Sequence, residues 1–425
     1  MSELYLQGGT PLEGELTVQG AKNSVLPMLA ACLLIPGTVE LSNCPILSDV
    51  SAAADILRHL GCTVVRSGHT LTVNAAHAAE HTVSQTQLHA MRSSIIFLGP
   101  LLARMGEAHV TFPGGCELGP RPIDLHLQAI RDLGCSVTEE EDAIHCWGRP
   151  RGGEVRLPIP SVGATENAML CAVGADGFTT IINAAREPEI VQLQDFLNRL
   201  GANIRGAGGS VICIEGSRKL HEGTCAVIGD RIVAATLLSA AAAAGGEVCL
   251  SGVDWRHLSA VASVFHQAGC RVESEERRVI LRRDPSQPLL SVSPVRTAPY
   301  PGFPTDAQAP VMAALCTARG STVFEENIFE SRYRHVPELR RMGADIEILG
   351  RTAVVRGVSG LCGARVTAAD LRGGGALAVA GTAAEGHTVI TGVHHIDRGY
   401  EALEETLRRL GVKAFRKHLT ANSNG

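Results

Sequence analysis

The chain has 425 residues, of which 45% are hydrophobic, 19% charged and only 4% aromatic. That length exceeds one ordinary core, so two or more domains built from Ala, Val, Leu and Ile are expected. A formal charge of −5 without any Lys/Arg run excludes a dedicated nucleic-acid binder.

In chain order, Leu4 to Leu6 and Leu12 to Val18 read as an opening strand, and Gly20-Ala21-Lys22-Asn23 leads into an alanine-rich helix. Thereafter one phrase recurs: a helix ending in Leu, Met or Ala, then glycine, then an alternating strand. The glycines are Gly61, Gly134, Gly201, Gly269, Gly343 and Gly411, spaced 67 to 74 residues apart. Each is expected to adopt the left-handed conformation past a helix end. An Ala-rich helix, a glycine and a β-branched strand precede each copy, as in Gly37–Leu41, Gly177–Ile182 and Gly386–Ile390. Each unit therefore reads helix, strand, loop, helix, strand, strand. The pattern predicts an α/β fold of six repeated units of about 70 residues, three per domain.

The boundary is expected near Gly229-Asp230-Arg231. The opening strand suits either half. Placed with the second, it gives a first domain of residues 21–229 and a second of residues 1–20 plus 230–425. Glycine at both crossings is then expected to act as a hinge that closes on a ligand. The run Ile232 to Gly245 is too short to span a bilayer, and no signal peptide is read at the N-terminus. Thirteen scattered cysteines without C-x-x-C fit a reducing cytoplasm. Cys62, Cys135 and Cys270 are expected as small buried hydrophobes, and every cysteine except Cys116 is placed in an apolar helix or strand.

The chemistry concentrates in loops and helix starts. Pro113 to Leu125 carries three glycines and three prolines around Cys116 and Arg121, a loop able to offer a sulfur and a guanidinium to a small anion. Basic residues near helix starts, where N–H groups and the dipole favour anions, point to a multiply charged substrate. Asp306 and Asp370 read equally well as N-caps, and Arg332, Arg340 and Arg341 as solvated helix residues. His394-His395 lacks a completing carboxylate, so no metal is expected. No P-loop, G-x-G-x-x-G, H-E-x-x-H or G-x-S-x-G occurs.

Several long motifs carry a resemblance over nearly the whole chain. They are Gly20–Asn23, Met91–Ser94, Pro113–Cys116, Gly119–Leu125, Ser161–Asn167, Ala184–Ile190, Tyr300–Asp306 and His395–Tyr400. With them the sequence resembles the UDP-N-acetylglucosamine 1-carboxyvinyltransferase family, enolpyruvyl transferases of the EPSP synthase superfamily that open peptidoglycan synthesis. The resemblance implies a two-domain inverse α/β barrel, a cytoplasmic monomer, no cofactor and no membrane partner. It implies two substrates, UDP-N-acetylglucosamine and phosphoenolpyruvate, and sensitivity to fosfomycin. The sister shikimate-pathway transferase and a retired nucleotide-sugar-binding paralogue are the alternatives.

By the same resemblance Asp306 is the base on the sugar 3′-hydroxyl. Its pKa, normally near 4, would leave it ionised. Cys116 is the proton donor to phosphoenolpyruvate C3 and the site of a covalent cysteinyl adduct. Lys22, Arg121 and Arg398 clamp phosphate and carboxylate, and Asn23 and Glu189 support the reacting centre. Arg92, Arg121, Pro122, Ile123, Asp124, Leu125, Ser161, Val162, Gly163, Asp306 and Ile328 match the nucleotide-sugar site. Asp370 and Arg372 match partners of the clamp. The chain departs from some members in having Ile159-Pro160 where they carry a lysine. The glycines of Arg372-Gly373-Gly374-Gly375 are expected to loosen the helix start after Asp370.

Overall fold

The computed structural model describes residues 2–83, 94–111, 123–140, 143–216 and 219–418. Among these residues the strands form six four-stranded sheets with one shared topology. In the first, Thr38–Ser42 pairs parallel with Gly223–Ala226 and antiparallel with Thr70–Asn74, which pairs antiparallel with Thr63–Ser67. Alternation makes each sheet one-sided: Val39 and Leu41 are buried while Glu40 between them is exposed.

The chain divides into two compact units, the described parts of 20–228 and residues 2–19 with 229–418. Each has its own apolar core. In the second unit the helices Arg231–Ala244, Thr305–Ala314 and Leu371–Ala383 pack against one another. They are apolar on all sides and almost wholly buried, which places them inside and the sheets outside. In the first unit Leu98–Met105 packs against Val162–Val173, and Lys22–Ala31 is likewise almost wholly buried.

The opening stretch is two strands belonging to different sheets of the second unit. Leu12–Thr17 pairs parallel with Gly246–Ser251. Ser2–Gln7 lies between His387–Thr391 and Lys413–His418, antiparallel to both. Each unit ties its own ends where the chain passes between them: Ala21 N donates to Ile228 O at 2.7 Å, and Asp230 N to Gln19 O at 2.8 Å.

The six repeat glycines have φ between +80° and +101°, the left-handed conformation that the pattern required. The glycine triplet after Arg372 does not loosen its helix, which is regular from Leu371 to Ala383. It allows close packing instead. A Cβ on Gly374 would lie 2.6 Å from Ile396 Cγ1, and one on Gly375 would lie 2.4 Å from Tyr400 Oη.

Cys62, Cys135 and Cys270 are buried as expected, and burial pushes the Cys62 and Cys270 thiols up to about 11. Cys213 and Cys362 are exposed, which corrects the expectation that every other cysteine is shielded. Cys213 occupies an outward position of the alternating strand Val211–Glu215. Among the described residues no helix is long and apolar enough to cross a membrane.

Candidate active site

Arg92, Cys116, Arg121 and Pro122 lie outside the described residues. The remaining sequence-identified residues fall into two groups, one in each unit.

In the 20–228 unit, Lys22 opens the helix Lys22–Ala31, with Asn23 half-buried beside it. The Lys22 ammonium is 2.5 Å from Asp49 Oδ2, and Asp49 is fully buried in the first turn of Ser48–His59. A buried ammonium is tolerated when paired in this way. Gly20 precedes it because a Cβ there would fall 1.8 Å from the Asn43 carbonyl oxygen.

Ser161 caps the helix Val162–Val173, accepting from Ala164 N at 3.4 Å. Ile123 stands at the start of Asp124–Asp132, with Leu125 half-buried and Asp124 exposed. These two helix starts are joined by His126, which the sequence reading missed. Asn167 Nδ2 lies 2.8 Å from both His126 Nδ1 and the Ile95 carbonyl oxygen, and Asn167 Oδ1 accepts from Gly99 N at 2.9 Å. A Cβ on Gly163 would sit 2.9 Å from His126 Cε1, so the imidazole covers the glycine closely. Gly163 thus meets the first turn of Asp124–Asp132 at His126.

Glu189 is buried in the first turn of Pro188–Arg199. Glu166, also buried, projects from Val162–Val173. Burial, with the charges of Glu189 and Glu187 adding to it, raises its carboxyl well above the ordinary range. Its neutral form is therefore favoured.

In the other unit Asp306 lies in the first turn of Thr305–Ala314 and is not its cap. Asp306 Oδ1 accepts from Arg332 Nη2 at 2.6 Å, and Oδ2 accepts from Arg372 Nη2 at 2.8 Å. The two arginine side chains are only 3% and 6% exposed, while Asp306 keeps 27% of its side-chain surface open. Arg332 is therefore a buried partner of Asp306 and not the solvated residue expected. Burial alone would raise the Asp306 carboxyl. The charges and hydrogen bonds of Arg372 and Arg332 outweigh it and hold the group far below the usual carboxylate range.

Asp370 does act as a cap: Oδ1 accepts from Arg372 N and Gly373 N, both at 2.9 Å. Glu326, almost fully buried, links the Ile328 loop to the helix start. Its Oε1 accepts from Ile328 N at 2.9 Å and its Oε2 from Thr305 Oγ1 at 3.0 Å. Ile328 itself is 37% exposed. Arg398 is half-buried in the turn after Val393–Ile396, two residues before Tyr400, whose ring lies 5.9 Å from the Arg372 guanidinium carbon. The rings of His394 and His395 lie with centroids 4.1 Å apart and planes tilted by 40°. Among the described residues no group of three His, Cys, Asp or Glu is arranged to hold a metal.

Each unit thus presents a cation and carboxylate pairing at the start of a buried helix, the kind of place that receives anions. Residues 6–407 match the family model described as EPSP synthase (3-phosphoshikimate 1-carboxyvinyltransferase). A UDP-N-acetylglucosamine 1-carboxyvinyltransferase 2 of Caldanaerobacter subterraneus is 46% identical over 98% of this chain and 100% of its own. A UDP-N-acetylglucosamine 1-carboxyvinyltransferase 1 of Symbiobacterium thermophilum is 48% identical over 96% of this chain and 94% of its own. The enolpyruvyl transferase NikO from Streptomyces tendae superposes with a TM-score of 0.87 at 24% identity, covering 98% of both chains. EPSP synthase from Acinetobacter baumannii gives 0.74 at 19% identity over 98% of this chain and 100% of that one. The structural likenesses establish the EPSP synthase-like fold. On sequence, the chain belongs to the UDP-N-acetylglucosamine 1-carboxyvinyltransferase family, within the wider group that the EPSP synthase model describes.

Proposed function

We propose that the protein transfers the enolpyruvyl group of phosphoenolpyruvate to the 3′-hydroxyl of UDP-N-acetylglucosamine and releases phosphate, as a cytoplasmic monomer in peptidoglycan synthesis. The observation that carries this reading is the near-full-length identity with relatives named for that activity, in a chain that keeps Lys22, Cys116, Asp306 and Arg398.

In the proposed reaction Asp306 takes the hydroxyl proton as the sugar oxygen bonds to C2 of phosphoenolpyruvate, and Cys116 gives a proton to C3. The tetrahedral intermediate then breaks its C2–O(phosphate) bond, C3 loses a proton, and the vinyl ether remains. Lys22, Arg121 and Arg398 neutralise phosphate and carboxylate while positive charge develops at C2. Asn23 and Glu189 orient the reacting centre, and Asp370 and Arg372 support the clamp. Arg92, Ile123 to Leu125, Ser161 to Gly163 and Ile328 receive the nucleotide sugar. The cap at Ser161 and the His126 contact with Gly163 support a preformed surface for part of it.

Phosphate release from phosphoenolpyruvate tests the proposal, with UDP-N-acetylglucosamine and shikimate 3-phosphate as rival acceptors. Release that requires the nucleotide sugar is the expected result. Release with shikimate 3-phosphate alone transfers the assignment to the sister activity, and release with neither leaves a binding paralogue.

A further inference from the structure

A general base needs affinity for a proton, yet each carboxylate oxygen of Asp306 accepts a charged hydrogen bond, from Arg332 at 2.6 Å and from Arg372 at 2.8 Å, which leaves each a second lone pair but lowers its affinity for a proton. Arg332 is held firmly. Its Nε and Nη2 donate to the Thr305 carbonyl oxygen at 3.2 and 3.0 Å, and the Phe329 ring lies 5.5 Å from its guanidinium carbon. Arg372 has spare capacity, because its Nη1 is buried without a protein hydrogen-bond partner. A carboxylate between two buried guanidinium ions is a poor proton acceptor, since the proton must displace charge-assisted bonds. Its basicity returns when another anion draws the guanidinium groups away.

We propose that Arg332 is a positioning residue that latches Asp306: without ligand it holds the carboxylate inert, and incoming phosphoenolpyruvate, through its carboxylate, loosens the latch and restores the affinity of Asp306 for the hydroxyl proton. This rests on the reading of Asp306 as the base. The latch makes base activation conditional on phosphoenolpyruvate, the substrate that carries a carboxylate. A sugar hydroxyl bound alone meets an Asp306 that cannot deprotonate it. The charged and titratable surroundings are few. Asp230 and Tyr400 face Arg372, His335 faces Arg332 and is itself faced by Asp370, and Glu326 lies behind Thr305. None of them bonds either Asp306 oxygen in the structure.

The test follows the Asp306 carboxyl by carbon NMR in protein labelled at aspartate, with Asp306→Asn giving the assignment. In the ligand-free wild type the resonance should stay ionised to the lowest pH at which the protein is folded. Saturating phosphoenolpyruvate should shift it and move its titration upward. Arg332→Gln should move the ligand-free titration upward by about one to three pH units, the usual effect of one adjacent charge. It should also raise the KM for phosphoenolpyruvate more than its kcat falls, and Arg332→Lys should recover part of both. Arg341→Gln, at an exposed position, should match the wild type.

An Asp306 titration unmoved by phosphoenolpyruvate in the wild type overturns the latch, and that arm stands even where Arg332→Gln does not fold. Unchanged titration in folded Arg332→Gln overturns it as well. A titration that moves in a protein that releases no phosphate keeps the latch and defeats the assigned reaction, so the two failures are distinguishable.

Discussion

Gly375 sets two forces in opposition, and the structure says which prevails. Alanine is favoured over glycine inside a helix by about 1 kcal/mol. Gly375 lies well inside Leu371–Ala383, so propensity alone predicts that Gly375→Ala stabilises the protein. The new methyl would lie 2.4 Å from Tyr400 Oη, 2.8 Å from Cζ and 3.1 Å from Cε2. Tyr400 has nowhere to retreat, being 1% exposed with its Oη 2.9 Å from Thr236 Oγ1. Overpacking of this kind costs about 1–3 kcal/mol. The net expectation is a loss of up to roughly 2 kcal/mol, or up to about 8 °C in melting temperature for a unit of this size. Because the Tyr400 ring lies near the Arg372 guanidinium, phosphate release should fall as well. Thermal unfolding of Gly375→Ala beside Gly360→Ala is the assay. Gly360 has no atom within 4 Å of its added Cβ and no positive φ, and should be neutral or slightly stabilised. A Gly375→Ala protein that melts at or above the wild type would refute the packing argument.

A phosphonate epoxide mimicking phosphoenolpyruvate should alkylate Cys116 in the presence of UDP-N-acetylglucosamine. Peptide mapping should find no adduct on Cys213 or Cys362, although both are exposed to a general thiol reagent. Cys116→Asp should resist the epoxide and keep turnover, since a carboxylic acid also donates a proton. Burial lowers His335 to about 4, with Arg332 adding and Asp370 opposing. The unfolded chain, with histidine near 6.5, therefore takes the proton first as pH falls, and stability should decline from about pH 6.5 toward pH 4. Urea midpoints across that window should flatten in His335→Leu, and parallel curves would count against the assignment. Asp230 accepts from Ile232 N at 2.8 Å and Val233 N at 3.1 Å, so Asp230→Ala should cost about 1 kcal/mol in urea unfolding and Asp230→Asn much less.

The repeat was legible because it is written in backbone chemistry. Six glycines at one spacing mark six helix ends, and all six have the positive φ that only glycine adopts readily. The all-round apolar helices were legible too, although the pattern did not say that they would sit inside the sheets. Three features escaped for a common reason: they depend on what another segment brings near. Arg332 looks like any surface arginine until the segment carrying it is placed against Thr305 and Asp306. The glycines after Arg372 look destabilising until Ile396 and Tyr400 occupy the space that side chains would need. The opening residues read as one strand because alternation records which face is buried and not which sheet supplies the partner. His126 had a milder signal, since it lies next to the matched 121–125 run, but only Asn167 and Gly163 give it a place.

The pairing of the two opening strands bears on the order in which the protein is made. Ser2–Gln7 and Leu12–Thr17 leave the ribosome well before their partners, which are Gly246–Ser251, His387–Thr391 and Lys413–His418. At about 5–20 residues per second, the first strand waits roughly 20–80 s for the last of them. In that interval residues 20–228 are completed with their own core and their own tied ends, Ala21 to Ile228. The inserted unit is thus ready to fold before the unit into which it is inserted. The N-terminal strands, with Leu4, Leu6, Leu12 and Leu16 destined for the core, are left without their partners in that interval. Deleting them would spare the first-made half and remove a strand from each of two sheets of the half made last.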